Sequence, residues 1–191
     1  MILFLDYDGV LHPDAAYLIK GRPVLKGSGE LFMWAPMLIE ALAPHPHVKI
    51  VLSTSWARQF GFYRARKWLP PELQDRVIGA TWHSQMGKHQ EAEHRLGSSW
   101  WDEVDRYQQI RRYAIRAGLG SNWLAIDDQP GDWDERHMDK LVLVNGDDGL
   151  CSPFVMDHLA ELLCRGSELD EKTTCQDFRQ VRFGGDQYEQ I

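Results

Sequence analysis

The sequence predicts an α/β protein with a mainly parallel central sheet. Short apolar runs alternate with stretches in which apolar residues recur at helical spacing, a pattern typical of parallel strands connected by helices. Glycines and prolines separate these segments, as turn signals do. The chain has 191 residues and 43% hydrophobic content, which suits one domain with a filled core. We therefore expect three layers, with helices on both faces of the sheet.

The first predicted strand is the apolar run 2–5, which leads into Asp6 and Asp8 and is closed by Gly9. A short apolar run before a turn signal is typical of a buried strand. The i, i+2 spacing of the two acids places them on the same side of a strand. Because the chain leaves the sheet here, both carboxylates are expected at its carboxyl edge, where open α/β sheets bind ligands. The polar stretch that continues to Gly29 is predicted to be a loop or a small hairpin near the acids.

The remaining predicted elements alternate between helices and strands. In chain order they are a helix over 34–43, a strand over 48–52, a helix over 57–68, a strand over 76–81, a helix over 102–117, strands over 123–126 and 141–144, and a last helix over 153–164. Helices are predicted from helical spacing of apolar residues, and strands from short apolar runs. Pro44, Pro70 and Gly118 are stop signals, and Ser152 before Pro153 is typical of a helix start.

The stretch 82–101 has no clear period and is predicted to be a long connection. Its histidines lack the spacing of metal ligands, so exposed polar residues are the favoured interpretation. Trp82, Trp100 and Trp101 have rings that can stack on bases, but packing in the core or in the loop is favoured for them.

Domain organisation is predicted from the change in composition after Arg165. We expect a single domain over 1–165 and a polar tail over 166–191. Partial disorder is the favoured interpretation of the tail, and a docking segment anchored by Phe178 and Phe183 is the alternative.

Composition and charge argue against several classes of protein. No apolar run has the length of a membrane span, and no basic region precedes the first apolar run as in a signal peptide. The three cysteines form no Cys-x-x-Cys pair, which disfavours a disulfide framework or a zinc site, so a cytoplasmic protein is expected. A net charge of −7 argues against nonspecific coating of duplex nucleic acid but allows a local basic groove.

Acids or hydroxyls follow three of the predicted strands. These residues are Asp6 and Asp8, Ser53 and Thr54, and Asp127 and Asp128. Because parallel strands end at the same edge of a sheet, we expect the three groups to converge. Carboxylates at such close range repel one another, and a hard cation such as Mg2+ relieves the repulsion through oxygen ligands. A solvated strand end is the alternative interpretation of the first pair.

The motif 6–10 resembles the first motif of the haloacid dehalogenase-like (HAD) superfamily of phosphotransferases. The run 51–54 resembles the second motif, a strand ending in Thr or Ser, and 125–128 resembles the fourth motif in its paired-acid form. The stretch 34–70 is more closely similar to HAD domains of Swiss Army Knife RNA-repair proteins, and the Ala-Ile-Asp-Asp ending is similar to polynucleotide 3′-phosphatases. The resemblance covers about residues 1–145. It implies a Rossmann-like three-layer α/β sandwich with a minimal cap.

The resemblance implies a catalytic role for each matching residue. Asp6 would be the nucleophile that takes the phosphoryl group as an aspartyl phosphate. Asp8 would protonate the leaving oxygen and then activate the water that cleaves the intermediate. Thr54 would donate a hydrogen bond to a phosphoryl oxygen, with Ser53 as the alternative.

The third motif of the superfamily is a Lys or Arg at the start of the helix before the fourth strand. Arg106 fits this position best, and Arg111 and Lys88 are the competing candidates. The resemblance implies that this cation offsets negative charge on the phosphate and on Asp6.

The resemblance also implies a Mg2+ site. Asp128 would hold the ion together with Asp6 and the main-chain carbonyl of Asp8, and Asp127 is the other candidate ligand of this pair. Phosphoryl transfer depends mostly on positioning and on stabilisation of negative charge, so a cation at this place agrees with the chemistry.

The function implied is a Mg2+-dependent phosphatase. An acid at Asp8 disfavours a dehalogenase, because dehalogenases of the superfamily generally lack it. The gaps between motifs are too short for a large cap, so an open site is expected. Such a site suits a phosphate on a macromolecule, such as a nucleic-acid end, while small substrates and a phosphotransferase remain alternatives.

Two non-enzymatic functions share parts of this residue pattern. A receiver-type phosphoacceptor needs an acid after its third strand, and none follows 76–81. A degenerate HAD scaffold would bind a partner without turnover, but every expected residue type is present. The oligomeric state is not indicated by the sequence.

Overall fold

A five-stranded sheet forms the centre of the fold in the computed structural model, which describes residues 1–83 and 100–166. The strands found there are β1 (Ile2–Leu5), β2 (Ala16–Ile19), β3 (Arg22–Leu25), β4 (Lys49–Leu52), β5 (Val77–Ala80), β6 (Trp123–Asp127) and β7 (Leu141–Leu143). The central sheet has the order β5-β4-β1-β6-β7, and all its neighbouring strands are parallel. The predicted mainly parallel α/β fold is therefore confirmed, with strand bounds within one residue of the prediction.

Helices in the described residues connect the strands of the sheet. They are α1 (Ala35–Leu42), α2 (Ser55–Phe60), α3 (Phe62–Lys67), α4 (Pro71–Gln74), α5 (Trp100–Glu103), α6 (Arg106–Arg116) and α7 (residues 153–166), with 3-10 helices at Glu135–Lys140 and Gly149–Cys151. β2 and β3 form a separate antiparallel hairpin in the polar stretch after β1. This hairpin is one of the two structures predicted for that stretch.

Alternate side chains of the sheet enter hydrophobic cores on its two faces. Leu3 and Leu5 of β1 are fully buried in a core that includes residues of α1, α2, α3 and α7. Phe4, between them in the sequence, is buried in the other core with Ile110 and Ala114 of α6. Alternation along a strand therefore produces the predicted three-layer sandwich.

Two predicted helices are divided in the structure, so their bounds need correction. The helix predicted over 57–68 consists of α2 and α3, because Gly61 between them takes φ 81°, which few other residues adopt. The helix predicted over 102–117 is divided as well. Asp105 is extended and its side chain accepts a backbone hydrogen bond from the first turn of α6 (2.7 Å), so α6 begins at Arg106.

Most of the predicted connection 82–101 and nearly all of the predicted tail 166–191 lie outside the described residues. Lys88, one candidate for the third motif, and the two tail phenylalanines lie there too. The single domain over 1–165 stays a prediction. In the part of the chain that the structure describes, no helix has the length and apolarity to cross a membrane.

Arg76, the residue before β5, connects the end of α1 to the sheet. Its guanidinium donates hydrogen bonds to the main-chain carbonyls of Leu42 (2.9 Å), His45 (2.7 Å) and Val48 (3.2 Å). One side chain thus gives a charged donor to carbonyl groups at a helix end and in the following turn, two of which also accept backbone hydrogen bonds, Leu42 from His45 and His45 from Val48. β4 begins directly after Val48, and Ser53 and Thr54 lie at its other end.

We predict that Arg76→Met lowers the free energy of unfolding by about 2–4 kcal/mol, because it leaves these carbonyls without a charged donor while keeping an unbranched side chain. Urea denaturation measures the change. The matched control is Arg64→Met at an exposed position of α3, which is expected to change the free energy of unfolding by less than about 0.5 kcal/mol. Equal effects of the two substitutions would contradict the prediction.

Candidate active site

Asp6 lies at the carboxyl end of β1, the middle strand of the sheet. Its backbone N–H donates to the carbonyl of Ile126 (3.2 Å), which continues the pairing of β1 with β6 by one residue. The side chain is almost completely buried, with 3% of Asp6 exposed. Its Oδ1 accepts a hydrogen bond from the Tyr7 N–H (2.7 Å), which fixes the plane of the carboxylate.

Three carboxylates meet at this end of the sheet. One oxygen atom from each of Asp6, Asp127 and Asp128 lies within 4.8 Å of the others. The pairing of β1 with β6 brings them together, since Leu5 is opposite Ile126 and the acids follow. The predicted convergence of the first and fourth motifs is what the structure shows.

Burial is the main electrostatic cost of this cluster. It raises the pKa of Asp6, with a smaller rise from the charge of Asp8, and it raises the pKa of Asp127 well above its ordinary value, with a further rise from Asp6. Burial and the charges of Asp6 and Asp14 raise the pKa of Asp128 to about 6. Without a cation, the cluster therefore favours partial protonation near neutral pH.

Arg106 is the first residue of α6, and its guanidinium reaches into the cluster. Nη2 donates to Asp6 Oδ2 (2.7 Å), Nε lies 3.1 Å from Asp127 Oδ2, and Nη1 donates to the carbonyl of Ser53. Burial alone would lower the pKa of Arg106, but the neighbouring carboxylates raise it above its usual range. Of the sequence candidates within the described residues, Arg106 is at the carboxylates, whereas Arg111 lines a groove farther along α6.

Thr54 and Ser53 lie at the end of β4 but differ in their contacts. Thr54 caps α2, where its Oγ1 accepts a hydrogen bond from the Trp56 N–H (3.3 Å). A hydrogen bond from the Thr54 hydroxyl partly offsets the burial that raises the pKa of Asp6. Ser53 Oγ is buried and has no hydrogen-bond partner in the described residues. Thr54 is thus the hydroxyl held at Asp6, and Ser53 offers an unused one nearby.

Asp8 lies apart from the other three carboxylates. Its Oδ1 is 3.1 Å from Nε2 of His12, and its Oδ2 accepts a hydrogen bond from Nε1 of Trp56 (2.9 Å). About a quarter of its side chain, 24%, is exposed, so the carboxylate has access to solvent that Asp6 lacks. No sequence pattern predicted His12 or Trp56 as partners of Asp8, because no motif spacing relates either residue to that acid.

Glycine is required where the backbone passes Asp128. Gly9 takes φ 70°, and a Cβ atom there would lie 2.4 Å from Asp128 Oδ2. A Cβ atom at Gly146 would lie 3.0 Å from the same oxygen. The close backbone explains why a glycine follows the first pair of acids.

The cluster fits a hard divalent cation. All its candidate ligands are oxygen atoms, which Mg2+ prefers. Asp127 Oδ2 is buried without a hydrogen-bond partner in the described residues, although the Arg106 charge is close. Within the described residues, the Arg106 guanidinium contacts two of the three carboxylates, those of Asp6 and Asp127, so a second positive charge would reduce the remaining repulsion. Asp6, Asp127 and Asp128 are the side chains placed to hold it.

Comparison with protein families shows which family the chain resembles. The family model for the HAD domain in Swiss Army Knife RNA repair proteins matches residues 2–155. This range contains all five strands of the central sheet and every site residue described above. Neither a curated protein nor a solved structure matches the chain.

We predict that the metal-free protein becomes less stable as the pH rises from about 4 through 6. The folded-state pKa of Asp128 is about 6, above the ordinary 3.8, so in this window the folded protein keeps protons that the unfolded chain has released. Added Mg2+ should raise the melting temperature more at pH 7 than at pH 5, because it replaces those protons. Thermal melts with Mg2+ or chelator measure both effects.

The control for this prediction is Asp128→Asn, which removes one titrating group. Its melting temperature without metal should depend less on pH between 4 and 6 than that of the wild type. A wild-type melting temperature that rises with pH in the presence of chelator would be the opposite of the expected sign.

Proposed function

The chain belongs to the family of HAD domains in Swiss Army Knife RNA repair proteins, and from this membership and the site geometry we propose that it is a Mg2+-dependent phosphoric-monoester hydrolase. The family supports a hydrolase-type enzyme in general. The finer proposal depends on one observation: Asp6 is held by Arg106 and at the same time shares a cluster with Asp127 and Asp128. Asp6, the proposed nucleophile, therefore contacts a guanidinium that can bind an anion and lies beside carboxylates that can bind a cation.

In the first step, an Asp6 oxygen attacks phosphorus and the bond from phosphorus to the ester oxygen breaks. Asp8 gives its proton to that oxygen, which leaves as an alcohol, and the phosphoryl group stays on Asp6 as an aspartyl phosphate. Arg106 reduces the repulsion between the anionic carboxylate and the anionic phosphate. Mg2+, when bound by Asp6, Asp127, Asp128 and the main-chain carbonyl of Asp8, would supply further positive charge.

In the second step, water attacks the phosphorus of the aspartyl phosphate. Asp8, now a carboxylate, takes a proton from the water, and the bond between phosphorus and the Asp6 oxygen breaks. Inorganic phosphate is released and both acids return to their starting states. The exposure of Asp8 supports this assignment, because the group that exchanges protons with leaving group and water must be reachable from solvent.

Phosphoryl oxygens need donors besides the cation. The Thr54 hydroxyl and the Arg106 guanidinium are both in contact with Asp6, so they are placed to bind a phosphoryl group transferred to it. The Ser53 hydroxyl, which has no partner in the described residues, is the alternative donor.

We propose a phosphorylated end of a nucleic acid as the substrate class. The family description names RNA repair proteins. Between β1 and β4 the chain holds the β2–β3 hairpin and α1 but no cap domain, so that side of the site is open to a large substrate. Of the tryptophans considered for base stacking, Trp101 is buried and donates to Thr81 (3.4 Å), while Trp100 is partly exposed.

We predict that Asp6→Asn lowers Mg2+-dependent hydrolysis of 4-nitrophenyl phosphate at least ~1,000-fold, because an amide oxygen is a poor nucleophile. Release of 4-nitrophenol is measured with Mg2+ and with chelator. Asp75→Asn, at an exposed acid, is the control and should keep full activity. Full activity of Asp6→Asn would refute the nucleophile assignment.

A wild type that is inactive on the aryl phosphate is tested next on 3′- and 5′-phosphorylated oligonucleotides. Absence of phosphate release from all of them would refute the hydrolase and favour the degenerate scaffold.

We predict that Asp8→Asn lowers turnover by about 100- to 10,000-fold and leaves divalent-cation binding within a few-fold of wild type. The carboxylate of Asp8 is not part of the three-carboxylate cluster, and its carbonyl survives the substitution. Isothermal titration with Mg2+ and the phosphatase assay measure the two properties separately. Loss of cation binding together with activity would contradict the division of roles.

A further inference from the structure

Two aromatic side chains contact the carboxylate of Asp8, one at each of its oxygen atoms. His12 Nε2 lies 3.1 Å from Oδ1, and the Trp56 indole N–H donates to Oδ2 at 2.9 Å. We propose that His12 and Trp56 are positioning residues that hold Asp8 in place for proton transfer and keep it away from the cation-binding carboxylates. This inference rests on the proposed function, in which Asp8 is the general acid and base.

The two donors are fixed by the hydrophobic core. His12 is fully buried and Trp56 is 3% exposed. The His12 ring packs edge-on against Phe32 (5.0 Å between centroids) and Trp56 (5.7 Å), and the Trp56 ring packs against Tyr7 (5.6 Å). Because neither ring is free to turn, the two N–H groups are preorganised toward Asp8.

Local backbone structure brings both rings to the same carboxylate. Asp8 and His12 form a backbone bridge, and the intervening turn is closed by hydrogen bonds from Val10 and Leu11 to the Tyr7 carbonyl (3.2 and 2.9 Å). Trp56 lies in the first turn of α2, directly after Thr54 and Ser55. The strand end that places a hydroxyl at Asp6 therefore also places the indole at Asp8.

The hydrogen bonds of the His12 ring favour a functional role of this residue over a stabilising one. Carboxylate oxygens accept, so Nε2 of His12 carries the hydrogen, and its Nδ1 is buried without a partner in the described residues. An unpaired buried polar atom is destabilising, and an apolar ring at the same place would avoid that cost. The one polar contact of the His12 ring in the described residues is Asp8, so positioning that carboxylate is the gain to set against this cost.

The two contacts separate Asp8 from the cation site. Asp8 is only two residues from Asp6 and close enough for its charge to raise the pKa of that acid. A carboxylate at this range and without the aromatic donors can turn toward a bound cation, where it would no longer face the leaving group. Each oxygen of Asp8 uses one lone pair for a ring donor and keeps the other, so a proton can be given or taken without rotation.

Two substrates that differ in their leaving group distinguish a role of His12 and Trp56 in proton transfer from a merely structural role. 4-Nitrophenolate needs no proton to leave, whereas the alcohol of glycerol phosphate does. We expect Trp56→Phe and His12→Phe to lower kcat/KM for glycerol phosphate at least about 10-fold, and to change kcat/KM for 4-nitrophenyl phosphate by less than about 3-fold. kcat/KM reports the steps up to departure of the leaving group, so slow cleavage of the intermediate does not mask the difference.

Two control variants accompany this test. His12→Gln keeps an N–H donor on a flexible chain and should recover part of the glycerol phosphate activity. Trp133 is a buried tryptophan of the other core, and its indole N–H donates to the His137 carbonyl (3.0 Å). Trp133→Phe removes this donor and should leave the ratio of the two kcat/KM values unchanged. An equal loss on both substrates, or no loss on either, would overturn the proposal.

A binding measurement separates this proposal from the phosphatase assignment. In the His12→Phe/Trp56→Phe double variant the released Asp8 should tighten Mn2+ binding about tenfold by calorimetry, and adding Asp8→Asn should remove the gain. If the wild type hydrolyses no phosphate ester but these affinities change as expected, the proposed function fails and the positioning stands. Unchanged Mn2+ affinity in the double variant would overturn the separation of Asp8 from the cation site.

Discussion

Repulsion among buried carboxylates is the constraint on which the rest of the site depends. Asp6 follows β1 and Asp127 ends the adjacent parallel strand β6, and their carboxylates lie close together because the register of β1 and β6 aligns the two strand ends. Burial raises the pKa of both, and Arg106 offsets only part of the resulting cost. A buried cluster of this kind is stable when protons or a second cation complete the charge balance. The chemistry proposed for the protein uses the same need for positive charge, because a phosphoryl group brings further negative charge to Asp6.

The cationic side chain of Arg106 reaches the site because a helix is interrupted just before it. The break at Asp105 makes Arg106 the first residue of α6, at the carboxyl edge of the sheet, where its guanidinium reaches both Asp6 and Asp127. A continuous helix from α5 would change the direction in which this side chain leaves the helix. The N-terminus of α6 also carries the positive end of the helix dipole, which favours anions. The helix start is thus part of the electrostatics of the site.

The sequence predicted the parts of the molecule that depend on local pattern. Strand bounds follow from short apolar runs, and the convergence of Asp6 with Asp128 follows from parallel topology, so both were accessible before the structure. The sequence also favoured Arg106 over Arg111, but it did not predict that α6 begins at Arg106, because the helix was expected to begin at residue 102. The contact between Asp8 and Trp56 spans 48 positions in the chain and depends on how α2 packs on the turn after β1, which no local pattern encodes. The break at Gly61 required a backbone conformation that composition alone does not reveal.

Asp6 and Asp8 are the same residue type two positions apart, and their neighbours make them chemically different. Asp6 is buried against a guanidinium and other carboxylates, a setting that suits a group that must bind a cation and attack phosphorus. Asp8 is partly exposed and contacts two aromatic rings, the Trp56 indole and the His12 imidazole, which orient it. A lysine or arginine beside Asp8 would hold it as firmly, but its permanent charge would favour the ionised form at the expense of the acid that protonates the leaving group. Aromatic rings from a rigid core give the orientation without a permanent charge, which is the combination that alternating acid and base steps require.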